Sequence, residues 1–379
     1  MRKSIKIPFL VIFLVLLLLI TPQARASFKA ALFIPQILPA IPIKPLEYVS
    51  GTPTRLEITF ESSKGFSEAD IYLPSGNGTH PGVVFFMGIV PPDREEKRIL
   101  ALAEGLARTG MVVLIPWLET QAENRLVVDD IETLVDAFLY LQEHERVDGT
   151  RVGMGGICTG ASMAVVAAQS NRINEEVTFV NLFAGYYDAF DLVKSTASET
   201  RFNGDSESPW VPDNLTKNMV NNHLIHGAEP DDRNILLKIM ENGTWNQNQY
   251  DSLSSSGKSV LTLLGRPSLD EAKKAITNLN AHTADFLKKI SPSSNIDMLK
   301  ADVLLMHDLQ DRLVPAEESR RLARAVRSNG GEVYHTEFSL FQNSVKVHTT
   351  EADETGKLNF IKQAFKLYRH MHKVMSLSG

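Results

Sequence analysis

A glycine-flanked cysteine at a strand-to-helix junction, within residues 151–168 (RVGMGGICTGASMAVVAA), constrains the fold more than any other stretch of the chain. Residues 151–155 are typical of a short buried strand, and residues 161–168, which are small and apolar, predict the first turns of a helix. The intervening GICTG has the G-x-S-x-G form of a nucleophile elbow, with Cys158 in place of serine. Glycine suits both flanking positions because a Cβ there would clash in a strained turn, and the helix N-terminus behind it favours a thiolate. A small buried structural cysteine is the alternative interpretation.

Strand-like and helix-like segments alternate along most of the chain. An antiparallel strand pair is predicted first, at residues 55–61 and 68–73. Apolar runs typical of strands covered on both faces follow at residues 82–87, 111–116 and 177–183. Apolar residues at helical spacing lie between them, at 95–109 and 128–144. This alternation predicts an α/β fold with a doubly wound, mostly parallel sheet.

The strand pattern stops over residues 192–299, which are polar and helical in character. We expect this segment to be a helical cap inserted into the sheet domain, where it covers the site and shapes the substrate pocket. A structural insertion without substrate contact is the alternative. Strands at 302–306 and 332–338 and a helix at 358–371 then complete the core, which is predicted to comprise residues 46–191 and 300–379.

The N-terminal residues 1–27 resemble an export signal. Positive residues precede the uninterrupted apolar run at 8–20, and an A-x-A-like cleavage site follows at 24–26. A cleaved signal peptide and an uncleaved membrane anchor both remain open, and either places the body outside the cytoplasm. Residues 28–45 are apolar but rich in proline, which predicts an extended arm on the membrane surface or on the domain.

Composition excludes several classes of function. The formal net charge of −6 gives no reason to expect nucleic acid as a partner, and the single cysteine cannot form an intrachain disulfide. The glycines near Cys158 lack a dinucleotide-binding pattern, and no His, Cys and Asp cluster has metal-ligand spacing. The residues therefore give no sign of a dinucleotide site or a metal site.

A hydrolytic triad needs a nucleophile, a histidine and an acid, which in a sheet of this kind follow in the order nucleophile, acid, histidine. Asp311 is the best candidate acid because it lies just beyond the 302–306 strand. His348 is the best candidate base because it lies in the loop after the last strand. The rival acids are Asp308, Asp188 and Asp191. His370 and His372 fall in or near the terminal helix and are interpreted as surface residues.

Backbone amides are expected to form the oxyanion hole. One is the amide of Thr159, which follows the nucleophile, and the other is that of Gly88 or Ile89, after the 82–87 strand. Glycine at position 88 allows the backbone to approach the elbow closely.

With these residues, the chain resembles the α/β-hydrolase superfamily, and within it the dienelactone hydrolase-like group. The resemblance rests on ADIYLP, VVFFMG, the GICTG elbow, LLMHDLQDRLVP and His348. It implies an α/β-hydrolase fold, a Cys158–Asp311–His348 triad and cofactor-free hydrolysis of carboxylic esters or lactones. Met87 or Gly88 stands where many dienelactone hydrolases have a glutamate that contacts the resting cysteine.

The leading functional hypothesis is therefore an exported, membrane-tethered hydrolase of small-molecule esters or lactones that acts through an acyl-enzyme. One alternative is a non-catalytic binding or scaffold protein that keeps the fold and uses the cap for recognition. Another is a thiol peptidase or acyltransferase, which would differ only in its leaving group or acceptor.

Overall fold

A computed structural model describes residues 21–38, 41–88, 94–123, 125–339 and 357–378 of the chain. Its centre is an eight-stranded sheet with the strand order β1-β2-β4-β3-β5-β6-β9-β10. The strands are β1 (Thr54–Ser62), β2 (Gly65–Leu73), β3 (His80–Phe86), β4 (Val112–Trp117), β5 (Val147–Ile157), β6 (Phe179–Phe183), β9 (Asp302–Asp308) and β10 (Val333–Phe338). Among the described strands of this sheet, β2 runs antiparallel to its neighbours β1 and β4, and the other pairs are parallel. The predicted α/β-hydrolase fold with a doubly wound, mostly parallel sheet is thereby confirmed.

The apolar strands are buried on both faces because helices cover the sheet from both sides. Alternate residues of β3 separate between two cores: Val84 and Phe86 belong to one, and Val83 and Phe85 to the other. The helices of the first half are α1 (Pro22–Ile37), α2 (Leu46–Val49), α3 (Lys97–Arg108), α4 (Glu119–Ala122), α5 (Asp129–Glu143) and α6 (Thr159–Ala168). Helices α5 and α6 cover the first core, whereas α1, α3 and the C-terminal helix α15 (Lys357–Leu377) cover the second.

The predicted insertion lies between β6 and β9. Its helices are α7 (Ala189–Ser198), α8 (Asn214–Gly227), α9 (Pro230–Asn242), α10 (Gln247–Ser252), α11 (Ser255–Leu264), α12 (Leu269–Ile276) and α13 (Ala281–Lys289), followed by a 3-10 helix (Pro292–Met298). It also contains a two-stranded hairpin, β7 (Thr200–Asn203) and β8 (Ser206–Pro209), which the sequence reasoning missed. After β9, helix α14 (Ala316–Ser328) leads to β10.

The prediction of an extended N-terminal arm at residues 28–45 was wrong, because most of it belongs to helix α1. Pro22 stands in the first turn, where no amide donor is needed, and Pro35 stands in the last turn. Lys44 Nζ donates to the carbonyl oxygens of Pro35 (2.7 Å) and Leu38 (3.1 Å), which satisfies groups at the helix end.

Helix α1 is an integral part of the second core. Its buried residues Ala26, Ala30, Phe33 and Ile34 form one apolar stripe. The predicted signal cleavage site at residues 24–26 therefore falls inside a helix, with Ala26 only 3% exposed.

The predicted localisation, an exported body held at a membrane by its N-terminus, is corrected by the structure. Within the five described ranges, no helix combines the length and the apolar character that crossing a membrane requires. The apolar run at residues 8–20, on which that prediction depended, lies outside the described residues.

Candidate active site

Cys158 occupies the turn between β5 and α6, as the sequence predicted. Its backbone has φ 54° and ψ −128°, a conformation that residues with a Cβ rarely adopt. The Cys158 amide donates to the Phe183 carbonyl oxygen at 2.8 Å, which ties the turn to the end of β6. A strained, tethered turn of this kind raises the cysteine side chain above the edge of the sheet.

The backbone at the glycines on either side of Cys158 is too crowded for any other residue. A Cβ on Gly156 would lie 2.6 Å from the Gly160 carbonyl carbon, and one on Gly160 would lie 2.5 Å from the Gly88 amide nitrogen. Gly88 itself has φ +83°, and a Cβ there would lie 2.7 Å from Thr159 Oγ1. The predicted oxyanion donors Gly88 and Thr159 thus come together at the elbow, whereas Ile89 lies outside the described residues.

The resting thiol is not favoured as a thiolate, contrary to the expectation from the helix N-terminus. Burial, and to a lesser extent the nearby Asp311 carboxylate, raise the pKa of Cys158 to about 12. The hydrogen bond from the Thr159 amide acts in the opposite direction but is the smallest of the three effects. The thiol therefore needs a base or a neighbouring cation before it can act as a nucleophile.

Asp311 lies close enough to Cys158 for the two groups to interact electrostatically. Its Oδ1 accepts hydrogen bonds from the amides of Leu313 (2.6 Å) and Val314 (3.0 Å). Burial raises the pKa of Asp311 to about 7, against the effect of these two amide donors. A cationic imidazole beside it would favour the ionised carboxylate.

The rival acids have structural partners. Asp188 caps helix α7 by accepting from the amides of Phe190 (2.8 Å) and Asp191 (3.1 Å). Asp191 pairs with Lys194 on the same helix. Asp308 is buried at the end of β9, where its Oδ1 accepts from the Gln310 amide at 2.9 Å.

His348, the predicted base, lies outside the described residues. His307 is the described histidine nearest to the acid in sequence, with its Nε2 4.0 Å from Asp311 Oδ2. Its ring is fully buried, with Nε2 3.0 Å from the Val314 carbonyl oxygen and Nδ1 2.5 Å from Ser319 Oγ. Both ring nitrogens are occupied, so His307 holds the acid loop in place rather than serving the thiol.

The interpretation of His370 as a surface residue was wrong. Its ring is fully buried between α15 and the sheet, with Nδ1 3.1 Å from Thr336 Oγ1 and Nε2 2.9 Å from Asn181 Oδ1. Burial lowers the pKa of His370 to about 3, so the ring is neutral at physiological pH.

The start of α8 and the residues just before it hold the acid loop. Trp210 Nε1 donates to the Asp311 carbonyl oxygen at 2.8 Å, and Thr216 Oγ1 donates to the Leu313 carbonyl oxygen at 3.0 Å. The Asp213 amide donates to the Arg312 carbonyl oxygen at 2.7 Å. The insertion therefore helps to position the candidate acid.

A cavity of about 520 Å³ opens at Cys158 and extends between the sheet and the helices of the second core. Its sheet floor includes Phe85, Gly155 and Phe179, and helices α1, α3 and α15 form its roof. Leu215 of the insertion and Leu313 of the acid loop line it near the elbow. Sequence reasoning missed this cavity, although the alternating glycines of β5 are a signal for it, since they leave one face of a central strand without side chains.

No protein-family model and no curated protein sequence matches the chain. Among solved structures, it is similar to an acylaminoacyl peptidase of Pyrococcus horikoshii, with 13% identity, a TM-score of 0.48, and coverage of 86% of this chain and 41% of that one. It is similar to an esterase of the archaeon Pyrobaculum calidifontis, with 13% identity, a TM-score of 0.49 and coverage of 93% of each chain. It is also similar to carboxyl esterase 2 of Tuber melanosporum, with 15% identity, a TM-score of 0.48, and coverage of 85% and 87%.

The chain spans about two fifths of the length of the acylaminoacyl peptidase, of which it covers 41%. Similarity at this level concerns the course of the chain and not its activity. The resemblance to the dienelactone hydrolase-like group stays a prediction.

Proposed function

We propose that the protein is a hydrolase that cleaves carboxylic esters or lactones, with Cys158 as nucleophile, Asp311 as acid and His348 as base. The observation that carries this proposal is the strained backbone of Cys158 at the mouth of an apolar cavity, within electrostatic reach of Asp311. Strain at a single non-glycine residue is costly and is typical of functional positions.

The proposed reaction has two steps. His348 takes the proton of the Cys158 thiol, Sγ attacks the substrate carbonyl carbon, and amides at Gly88 or Ile89 and Thr159 stabilise the oxyanion. The C–O bond to the leaving group then breaks, the alkoxide takes the proton from His348, and a thioester remains on Cys158. Water attacks this thioester with His348 as base, and the carboxylic acid and the free thiol are released.

The raised pKa of Cys158 makes a specific demand on this mechanism. A thiol whose pKa lies near 12 is almost entirely protonated at neutral pH, so His348 must remove the proton during attack or hold the thiolate as an ion pair. Asp311 would orient His348 and stabilise its cationic form.

The test is hydrolysis of 4-nitrophenyl esters and simple lactones by purified wild-type protein and by Cys158→Ala, Asp311→Asn and His348→Ala. We expect each triad variant to lose about 10³-fold or more in kcat. Ser195→Ala, which removes a buried hydroxyl on α7 that has no place in the proposed mechanism, serves as the matched control. Cleavage by Cys158→Ala at the wild-type rate would contradict the proposal.

The same panel of esters and lactones also tests the non-catalytic alternative. A scaffold protein would cleave none of these substrates, and its thiol would not react faster in wild type than in His348→Ala. Ester cleavage that disappears in all three triad variants excludes that alternative. Product analysis in the presence of an alcohol or amine acceptor separates a hydrolase from an acyltransferase.

A further inference from the structure

The cavity beside Cys158 lies against the face of the sheet that α1, α3 and α15 cover, away from the bulk of the insertion. Met87, which follows β3, and then Phe85 and Val83 of β3 line it in succession from the elbow inward. Phe33 of α1 and Val374 of α15 lie among its roof residues. The space is therefore a channel that starts at the candidate nucleophile and follows the strands into the second core.

Glycines in the central strand create this space. Gly153 and Gly155 alternate on β5, so the middle of this sheet face carries no side chain at two successive positions. A Cβ on Gly153 would lie 2.5 Å from the Phe179 ring, and one on Gly155 would lie 3.0 Å from the Phe85 ring. The flanking aromatic rings lean into part of the space, and the remainder is the cavity.

The channel is almost entirely apolar. Asn181 is the polar residue on its sheet floor, and its Oδ1 lies 2.9 Å from His370 Nε2. The charged lining residues, Glu96 and Arg98, form an ion pair of 2.6 Å at the start of α3, near the carboxyl edge of the sheet. A charged or strongly polar ligand would lose its hydration inside such a channel, whereas a hydrocarbon chain would gain from burial.

The dimensions of the channel limit the length of the hydrocarbon chain that it can hold. The four residue steps from Val83 of β3 to Met87, just beyond the end of the strand, span about 13 Å. In an extended polypeptide, the three backbone bonds of one residue advance about 3.5 Å, or roughly 1.2 Å per bond. At the same advance per bond, a hydrocarbon chain of roughly ten bonds fits along the channel. The volume of 520 Å³ is ample for this number of methylene groups, each about the size of a water molecule at ~30 Å³.

We propose that this channel binds the acyl chain of the substrate, an unbranched chain of about eight to twelve carbons whose carbonyl group lies at Cys158. This inference rests on the proposed function and names its substrate class as medium-chain acyl esters. The acyl chain enters at the elbow and passes between the sheet and helix α3.

The first test is a series of 4-nitrophenyl esters from acetyl to hexadecanoyl, used below their micelle concentrations. We expect kcat/KM to rise about three- to fourfold per added methylene up to a chain of eight to twelve carbons and then to fall. Leu102→Trp, which fills the channel from α3, should lower kcat/KM for the decanoyl ester at least tenfold and leave the acetyl ester within twofold. Ala101→Trp on the same helix, outside the lining, is the matched control.

Leu367→Trp blocks the channel from α15 and provides a second variant in case Leu102→Trp does not fold. Activity on the acetyl ester reports folding in both variants, because the short acyl group does not reach the blocked region. Cleavage of esters with a flat chain-length profile, or equal losses for both esters in a folded blocked variant, would overturn the acyl-chain assignment while the proposed function stands.

The second test measures binding without catalysis. Calorimetric titration of Cys158→Ala with 1-decanol should show one site at least 100-fold tighter than for 1-butanol, with a tenfold or greater loss in Leu102→Trp. Decanol binding in a protein that cleaves no ester of any length would contradict the proposed function, and with it the acyl-chain assignment. Absence of decanol binding in a protein that cleaves short esters would overturn the assignment alone.

Discussion

The strained backbone at Cys158 leads to a prediction about stability that does not depend on activity. Cys158→Ala and Cys158→Gly both remove the thiol, and they differ only in the Cβ. At φ 54° and ψ −128° the Cβ of alanine keeps the strain, whereas glycine adopts this conformation without it. We therefore expect the glycine variant to be the more stable of the two.

The size of the difference follows from two opposing effects. Relief of backbone strain at one such residue contributes about 1–3 kcal/mol to the free energy of unfolding. The greater freedom of glycine in the unfolded chain costs about 0.5–1 kcal/mol. We expect Cys158→Gly to exceed Cys158→Ala by about 1 kcal/mol, the reverse of the usual order for alanine and glycine.

Urea unfolding at pH 7, followed by tryptophan fluorescence, measures this difference. Ala161→Gly provides the matched control, because Ala161 is buried in regular helix three residues further on. That change should destabilise the protein by about 1–2 kcal/mol. A Cys158→Gly variant that is less stable than Cys158→Ala would refute the claim that the elbow stores strain.

Three further predictions concern packing, electrostatics and thiol reactivity. Gly160→Ala should lower the free energy of unfolding by more than about 2 kcal/mol in chemical denaturation, because its Cβ would lie 2.5 Å from backbone atoms, whereas Gly265→Ala, with its nearest atom at 3.4 Å, should have little effect. Burial raises the pKa of Glu318 to about 7, so the protonated side chain stabilises the fold below about pH 4.5 and this stabilisation is lost as the pH rises through 7. Between pH 4.5 and 7.5, the free energy of unfolding of wild type should therefore fall by about 3 kcal/mol more than that of Glu318→Gln. Equal decreases in the two proteins would contradict this. In His348→Ala, iodoacetamide should alkylate Cys158 at pH 8 about 10³-fold more slowly than an exposed cysteine, because its pKa rises from 9.0 to about 12, and a rate like that of free cysteine would be the contrary result.

The sheet and the elbow could be predicted from sequence because their signals are local. Apolar runs identify strands that are covered on both faces, and the steric demand on Gly156 and Gly160 follows from the tightness of the turn. Asp311 could be placed for a similar reason, since the end of a strand fixes the edge of the sheet at which its side chain lies. Its electrostatic interaction with Cys158 follows from the parallel order of the strands, which brings their carboxyl ends to one edge of the sheet.

The errors came from features that depend on tertiary packing. Prolines seemed incompatible with a helix at residues 28–45, yet Pro35 lies in a last turn whose carbonyl groups Lys44 caps. His370 was assigned to the surface because nothing in its neighbourhood in sequence indicates Asn181 and Thr336 as partners. The helix dipole suggested a thiolate at Cys158, but desolvation dominates in the folded site.

The central claim is that Cys158 becomes acylated during turnover. Intact-mass spectrometry of protein quenched within the first turnovers with 4-nitrophenyl decanoate, followed by peptide mapping, tests it directly. We predict one decanoyl group per chain, located on Cys158, released by hydroxylamine and absent from Cys158→Ala. Turnover without any adduct on Cys158, or the same adduct in Cys158→Ala, would contradict the account.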